Sequence, residues 1–285
     1  MLSTSGSVQV PVDELRTRKV LETYSRFFSS SPLTLRLEVH PGKAPALSVR
    51  YLETMRAHTP EPLTTAVLKG YVSEDTSPLF ALFEEMKLTF DILGYGVNLD
   101  VSRGITRLSA AFVPIPVETI LTLEHLPKSL KQHLGFFKKH GLTRVAMLEY
   151  DFAAQLIHVF VMVRDPSCVM PGAYRSLLSD LNFDTASDAA VSQCARANMM
   201  DFAFSWQHDE CDTACFSTLH PQRCTVPSVD VPLIEACLGN TEFFPRDNQV
   251  IFSHIFSASA HSYLLDSDFG GAISQAVLKV CQAGI

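Results

Sequence analysis

The feature that most constrains this chain is a pairing pattern. Short runs with period-two hydrophobic alternation come in couples, each couple is joined by a turn-sized segment, and helical spacing flanks every couple. The pattern recurs roughly every fifty to sixty residues, so five passes fill the 285 residues.

In the first pass Leu15, Val20, Leu21, Tyr24 and Phe27 form a helical stripe over Val12–Phe28. Strands are predicted over Leu33–Val39 and Ala46–Glu53, with turn chemistry at His40-Pro41-Gly42-Lys43, and a helix over Glu61–Tyr71. The second pass predicts a helix over Pro78–Lys87 and strands over Asp91–Asp100 and Gly104–Phe112, the latter stopped by Pro114 and Pro116. The third predicts one helix over Leu126–His140 capped by Gly141, then strands over Thr143–Tyr150 and Leu156–Val163. The fourth predicts a helix over Ser187–Ala197 and strands over Met199–Trp206 and Cys211–Thr218. The fifth predicts a helix over Val231–Leu238, strands over Val250–Ser257 and His261–Asp266, and a last helix over Gly271–Cys281.

Hairpin turns leave no room for the crossovers of a parallel sheet. Closing all ten strands removes every exposed edge. The predicted fold is therefore α+β: a closed ten-stranded antiparallel barrel surrounded by helices, five αββα repeats in one domain over residues 1–285. A barrel of that width is not filled by its own side chains and should hold a ligand cavity. The stretch Ser217–Val229 is the longest loop candidate and is expected to form a lid or rim.

Composition removes other classes. A net charge of -7 without a block of Lys or Arg offers no track for a nucleic-acid backbone. The longest apolar run, Ala153–Val163, is far short of the ~20 residues needed to cross a bilayer. The Ser-rich start has neither a basic flank nor a hydrophobic stretch, so a cytoplasmic location is expected. Seven cysteines, all from Cys168 to Cys281, suit reduced thiols. His208, Cys211, Cys215, His220 and Cys224 match no standard zinc spacing, and core cysteines are expected there rather than a metal site. No Gly-x-Ser-x-Gly elbow, phosphate loop or dinucleotide fingerprint occurs, and no cofactor is expected.

Several phrases, in order, carry a family resemblance: Leu47-Ser48-Val49-Arg50-Tyr51, Arg103 to Phe112, His140 to Val145, Tyr150-Asp151-Phe152, and Asp212 to Phe216. The chain resembles the soluble aromatic prenyltransferases with the αββα barrel, over nearly its whole length. The resemblance implies a lumen in which cations and polar groups grip the diphosphate of a prenyl donor. Arg50 matches the arginine of the magnesium-independent branch, and Arg107 stands where the family usually has lysine. His158, Thr213 and Leu264 replace an asparagine, an arginine and a lysine of the family pattern, and Asp201 replaces a tyrosine. At roughly 1.5–3 kcal/mol per hydrogen bond to a charged group, three missing partners weaken that grip by about 5–9 kcal/mol.

Strand parity with Arg50, Arg107 and His158 pointing inward predicts a mostly apolar lumen. The candidate catalytic residues are Arg50, Arg107, His158 and Asp201, and the candidate substrate-binding residues are Ser109, Tyr150, Phe160, Met162, Met199 and Thr213. The competing account of the arginines is structural, as bridges to acids such as Asp201 or Glu149. The depleted grip predicts a diphosphate-free cyclisation, for example Diels-Alder-type, of an apolar terpenoid or polyketide substrate by a monomer or weak dimer. The alternatives are metal-independent aromatic prenyl transfer from dimethylallyl or geranyl diphosphate, and a small-molecule carrier.

Overall fold

A computed structural model of the chain describes residues 13–24, 33–40, 46–54, 62–72, 78–100, 103–163, 171–183, 186–229, 231–239 and 249–269. Its strands are β1 (Leu33–Val39), β2 (Ala46–Thr54), β3 (Ile92–Asp100), β4 (Gly104–Pro116), β5 (Arg144–Asp151), β6 (Leu156–Met162), β7 (Met199–Ser205), β8 (Cys211–His220), β9 (Val250–Phe256) and β10 (His261–Phe269). They close in the order β1-β10-β9-β8-β7-β6-β5-β4-β3-β2, every pair antiparallel. The closed barrel expected from the paired strands is the observed one.

The helices are α1 (Glu14–Tyr24), α2 (Pro62–Leu68), α3 (Pro78–Thr89), α4 (Val117–Ile120), α5 (Lys128–Gln132), α6 (Leu134–Lys139), α7 (Pro171–Asp180), α8 (Asp188–Cys194) and α9 (Pro232–Gly239). They cover the outside of the barrel, and that is where the apolar core lies. Phe83 of α3 meets Tyr95 and Tyr150, Phe137 of α6 meets Phe202, and Tyr174 of α7 meets Phe216. The outward residue of each alternating pair is thus apolar and buried under a helix, which leaves the inward residue free to be polar. No helix among the described residues is long and apolar enough to cross a membrane.

Four local expectations differ from the structure. β4 continues through Pro114 to Pro116, with a register shift between Ala111 and Ile115, the kind of irregularity at which a strand tolerates proline. The Pro114 carbonyl accepts a 3.1 Å hydrogen bond from Arg144 Nε. The single helix over Leu126–His140 is two, α5 and α6, separated at His133, whose ring Nδ1 bonds the carbonyl of Ser129. α7 was not expected, although Tyr174, Leu177 and Leu178 carry its buried stripe behind Pro171. β8 runs to His220, so most of the expected lid over Ser217–Val229 is strand followed by a short 3-10 turn at Arg223–Thr225. The helix predicted over 271–281 lies outside the described residues.

The closing seam joins the first strand to the last. Arg36 of β1 sits directly opposite Asp266 of β10, and its Nε and Nη2 each donate to one carboxylate oxygen at 2.8 Å. Both side chains are buried. Asp266→Leu is expected to destabilise the fold by about 3–5 kcal/mol in urea unfolding, because it strands a buried charge. Arg36→Met combined with Asp266→Leu should recover much of that loss. A double variant as unstable as the sum of the single ones contradicts the seam as a coupled pair.

Candidate active site

The lumen holds a cavity of about 530 Å³. One side, supplied by β10 and β1 to β5, is charged: Arg36, Glu38, Arg50, Asp100, Arg107, Asp151 and Asp266 line it. The other side, from β6 to β10, carries the His158–Asp201 pair among apolar or small residues, Phe160, Met199, Thr213, Cys215, Ile255 and Leu264. The expectation of a mostly apolar lumen is therefore corrected. Polar inward positions on β1, β3, β5 and β10 (Arg36, Glu38, Asn98, Asp100, Asp151 and Asp266) join the wall beside Arg50, Arg107 and His158.

The charged wall is organised by Glu149, which faces inward from β5 and is almost fully buried. Its oxygens lie 3.1 Å from Arg50 Nη2, 3.4 Å from Arg107 Nη1 and 3.9 Å from Arg36 Nη1. Arg36 also has both oxygens of Asp266, and Arg107 has Asp151 at 2.7 Å and Glu38 at 3.8 Å. Among the described residues Arg50 has Glu149 alone within ion-pair distance, and it shares that carboxylate with two other guanidiniums. Its Nε is buried without a hydrogen-bond partner. Burial opposes its charge, and Arg36 and Arg107 repel it, so its affinity for its proton is lowered. Arg50 is thus the under-compensated cation of the wall. For Glu149 the arginines outweigh burial and hold its carboxyl down at about 2; Glu38 is likewise held at about 2, by His40 and Arg107.

Across β5 and β6, Glu149 is opposite His158. The His158 Nδ1–H donates to Asp201 Oδ1 at 2.9 Å, since a carboxylate can only accept. His158 lines the cavity, and its Nε2 is buried and unpartnered. Asn98 Oδ1, opposite both Arg50 and Arg107 in the ladder, is a third buried polar atom without a partner. Leaving such a group unsatisfied costs about 1–3 kcal/mol, and these three belong to residues that line the cavity.

The sequence-based candidates divide. Arg50, Arg107, His158, Asp201, Phe160, Met199 and Thr213 all line the cavity. Tyr150 does not: Met147 and Glu149 take the inward positions of β5, and Tyr150 packs edge-on against Phe83 with ring centroids 5.0 Å apart. Met162 lies at the end of β6, 51% exposed, outside the cavity lining. Ser109 is buried opposite Glu149 and also lies outside that lining. The arginine–acid bridges weighed as the structural account are present for Glu149, whereas Asp201 pairs with His158. Arg36, Glu38, Asp151 and Asp266 were missed as site residues; the signal was their alternation with apolar neighbours, as in Leu35-Arg36-Leu37-Glu38. His208 precedes β8 and His220 ends it, and no group of three metal-ligating side chains occurs among the described residues.

The family model described as Aromatic prenyltransferase Orf2 matches residues 1–280. The chain belongs to this family. Among curated relatives, an aromatic prenyltransferase of Sclerotinia sclerotiorum is 26% identical over 168 residues, 57% of this chain and 52% of the relative. A furaquinocin biosynthesis prenyltransferase of Streptomyces sp. is 18% identical over 211 residues, 73% of this chain and 68% of the relative. The match thus spans about half the length of the Sclerotinia relative. Among solved structures, 5-dimethylallyltryptophan synthase from Streptomyces coelicolor aligns with TM-score 0.52 at 11% identity, over 90% of this chain and 95% of that one. 6-Dimethylallyltryptophan synthase from Micromonospora olivasterospora, in complex with DMASPP and Trp, gives TM-score 0.53 at 10% identity, over 90% and 96%. Both share the aromatic prenyltransferase barrel fold.

The lowered pKa of Glu38 and of Glu149 has a defined pH signature. Because both folded-state values lie below the ordinary 4.5, their stabilisation is complete above that pH and is lost as pH falls toward 2. Urea midpoints measured across that interval should fall steeply. Glu149→Gln should lower stability at neutral pH by about 3–5 kcal/mol and flatten the acid limb. An unchanged acid limb in that variant contradicts the hub role of Glu149.

Proposed function

We propose that this member of the family is a metal-independent aromatic prenyltransferase, which moves a prenyl group from its diphosphate ester to an electron-rich ring held in the lumen. The observation that carries this is Arg50: a buried guanidinium with an unpartnered Nε and a shared counter-ion, on the cavity wall of a chain that matches the family over residues 1–280. A fixed cation at that point stabilises charge that develops on the diphosphate as the C–O bond of the donor breaks. The apolar side, with Phe160, Ile255 and Leu264, excludes water from the allylic carbon while the ring carbon attacks. The family match and the names of the relatives favour this over the diphosphate-free cyclisation expected from the sequence.

One observation favours that second reading. Each lumen arginine has at least one carboxylate within ion-pair distance, so a single under-compensated guanidinium matches a monoanion or a polarised carbonyl more closely than a diphosphate.

Incubation with radiolabelled dimethylallyl and geranyl diphosphates, and naphthols or tryptophan as acceptors, separates the two. Prenylated product, unchanged by EDTA, is expected. Arg50→Met should lower kcat/KM by about 10- to 150-fold, the equivalent of one hydrogen bond to a charged group. No labelled product with any donor and acceptor contradicts prenyl transfer.

A further inference from the structure

The lumen also contains a buried histidine–aspartate pair, His158 and Asp201. His158, a residue of the cavity wall, is held at Nδ1 by Asp201, and its Nε2 is buried and unpartnered. With the Nδ1 proton given to the carboxylate, neutral His158 presents a lone pair at Nε2. A buried lone pair without a donor is complemented by an O–H or N–H, and that is what an electron-rich ring acceptor carries as its activating substituent. Arg50 Nε–H, by contrast, is a donor and selects an anion. The two orphaned atoms therefore differ in kind, one suited to the leaving group and one to the acceptor.

We propose that His158 is the general base of the acceptor site, receiving a hydrogen bond from the acceptor's hydroxyl or N–H and removing that proton as the ring attacks, with Asp201 as its positioning residue. This rests on prenyl transfer as the function. In the step, the C–O bond of the donor breaks with its electron pair leaving on diphosphate, and a ring π pair forms the new C–C bond. The hydroxyl proton passes to Nε2, and the O–H pair becomes the C=O bond of a dienone. The ring-carbon proton is then lost to water as aromaticity returns, and the imidazolium gives its proton back to the oxygen.

The charges facing His158 are Asp201 from β7, Glu149 from β5, Arg107 from β4 and Asp212 from β8. Burial opposes the imidazolium, yet Asp201 outweighs it and raises the pKa above the ordinary 6.5. A base with a raised pKa works only above that value, so the rate climbs as pH rises through it. Removing the Asp201 charge moves this limb to lower pH.

The test pairs a substrate change with a protein change. Naphthol and its methyl ether, which lacks the O–H, are compared as acceptors for wild type, His158→Gln and Asp201→Asn, by product formation and by calorimetric binding. Wild type is expected to prefer the naphthol in turnover by about 10²-fold or more and to bind it more tightly. His158→Gln should lose most of that turnover preference, and Asp201→Asn should shift the acid limb downward. A naphthol preference in His158→Gln equal to that of wild type overturns the assignment, since a purely structural role moves both acceptors alike. If wild type makes no product, prenyl transfer itself fails; equal binding of naphthol and ether by wild type then separately rejects the acceptor contact.

Discussion

One carboxylate, Glu149, determines how the inside of this barrel is arranged. Three guanidiniums converge on it at 3.1, 3.4 and 3.9 Å in a space that water barely reaches. Burying three cations against one another is untenable without compensation. Asp266 and Asp151 relieve Arg36 and Arg107, and the burden remains on Arg50. Carboxylates (Glu38, Asp100, Glu149, Asp151 and Asp266) thereby outnumber these three arginines of the wall, and Arg50 is the one with the fewest counter-ions among the described residues. That is a different electrostatic solution from a ring of free cations, and it gives the lumen a polarity with a direction.

The outer face makes this possible. Because the hydrophobic core lies between the strands and the helices, through contacts such as Phe83 with Tyr150 and Phe137 with Phe202, stability does not depend on an apolar lumen. The inward positions are released for Arg36, Glu149, His158 and Asp266. The network in turn ties strands that are distant in sequence: the Arg36–Asp266 fork spans the seam of β1 and β10, and Glu149 reaches from β5 to β1 and β2. Site and closure are one set of interactions. Substitutions in the wall are therefore expected to report on folding as well as on chemistry unless a partner group remains paired, as Glu149 does when Arg50 is removed.

The barrel was legible in the sequence because its signal is repeated: paired alternating runs recur five times, and one misjudged boundary leaves the count intact. Where a single local cue decided, the outcome was worse. Pro114 reads as a strand stop, but a bulge accommodates it; the stripe through Leu130, His133, Leu134 and Phe137 reads as one helix, but the helix breaks at His133. In the site, Arg50, Arg107, His158 and Asp201 were accessible because the resemblance marks each of their positions, and all four line the cavity. Tyr150 was misplaced because parity on β5 was not anchored, and Glu149 facing inward sends Tyr150 outward. The pairing of Arg36 with Asp266 lies beyond sequence inspection, since 230 residues separate two groups that only barrel closure brings together.

The central claim is that the under-compensated guanidinium of Arg50 is the anchor for the anionic end of a ligand in the lumen. A crystal structure with a non-hydrolysable dimethylallyl diphosphate analogue tests it directly. A phosphate oxygen within hydrogen-bond distance of Arg50 Nε, with the Arg36–Asp266 and Arg107–Asp151 pairs retained, is the predicted result. An empty lumen at saturating analogue, or a diphosphate bound away from Arg50, contradicts it.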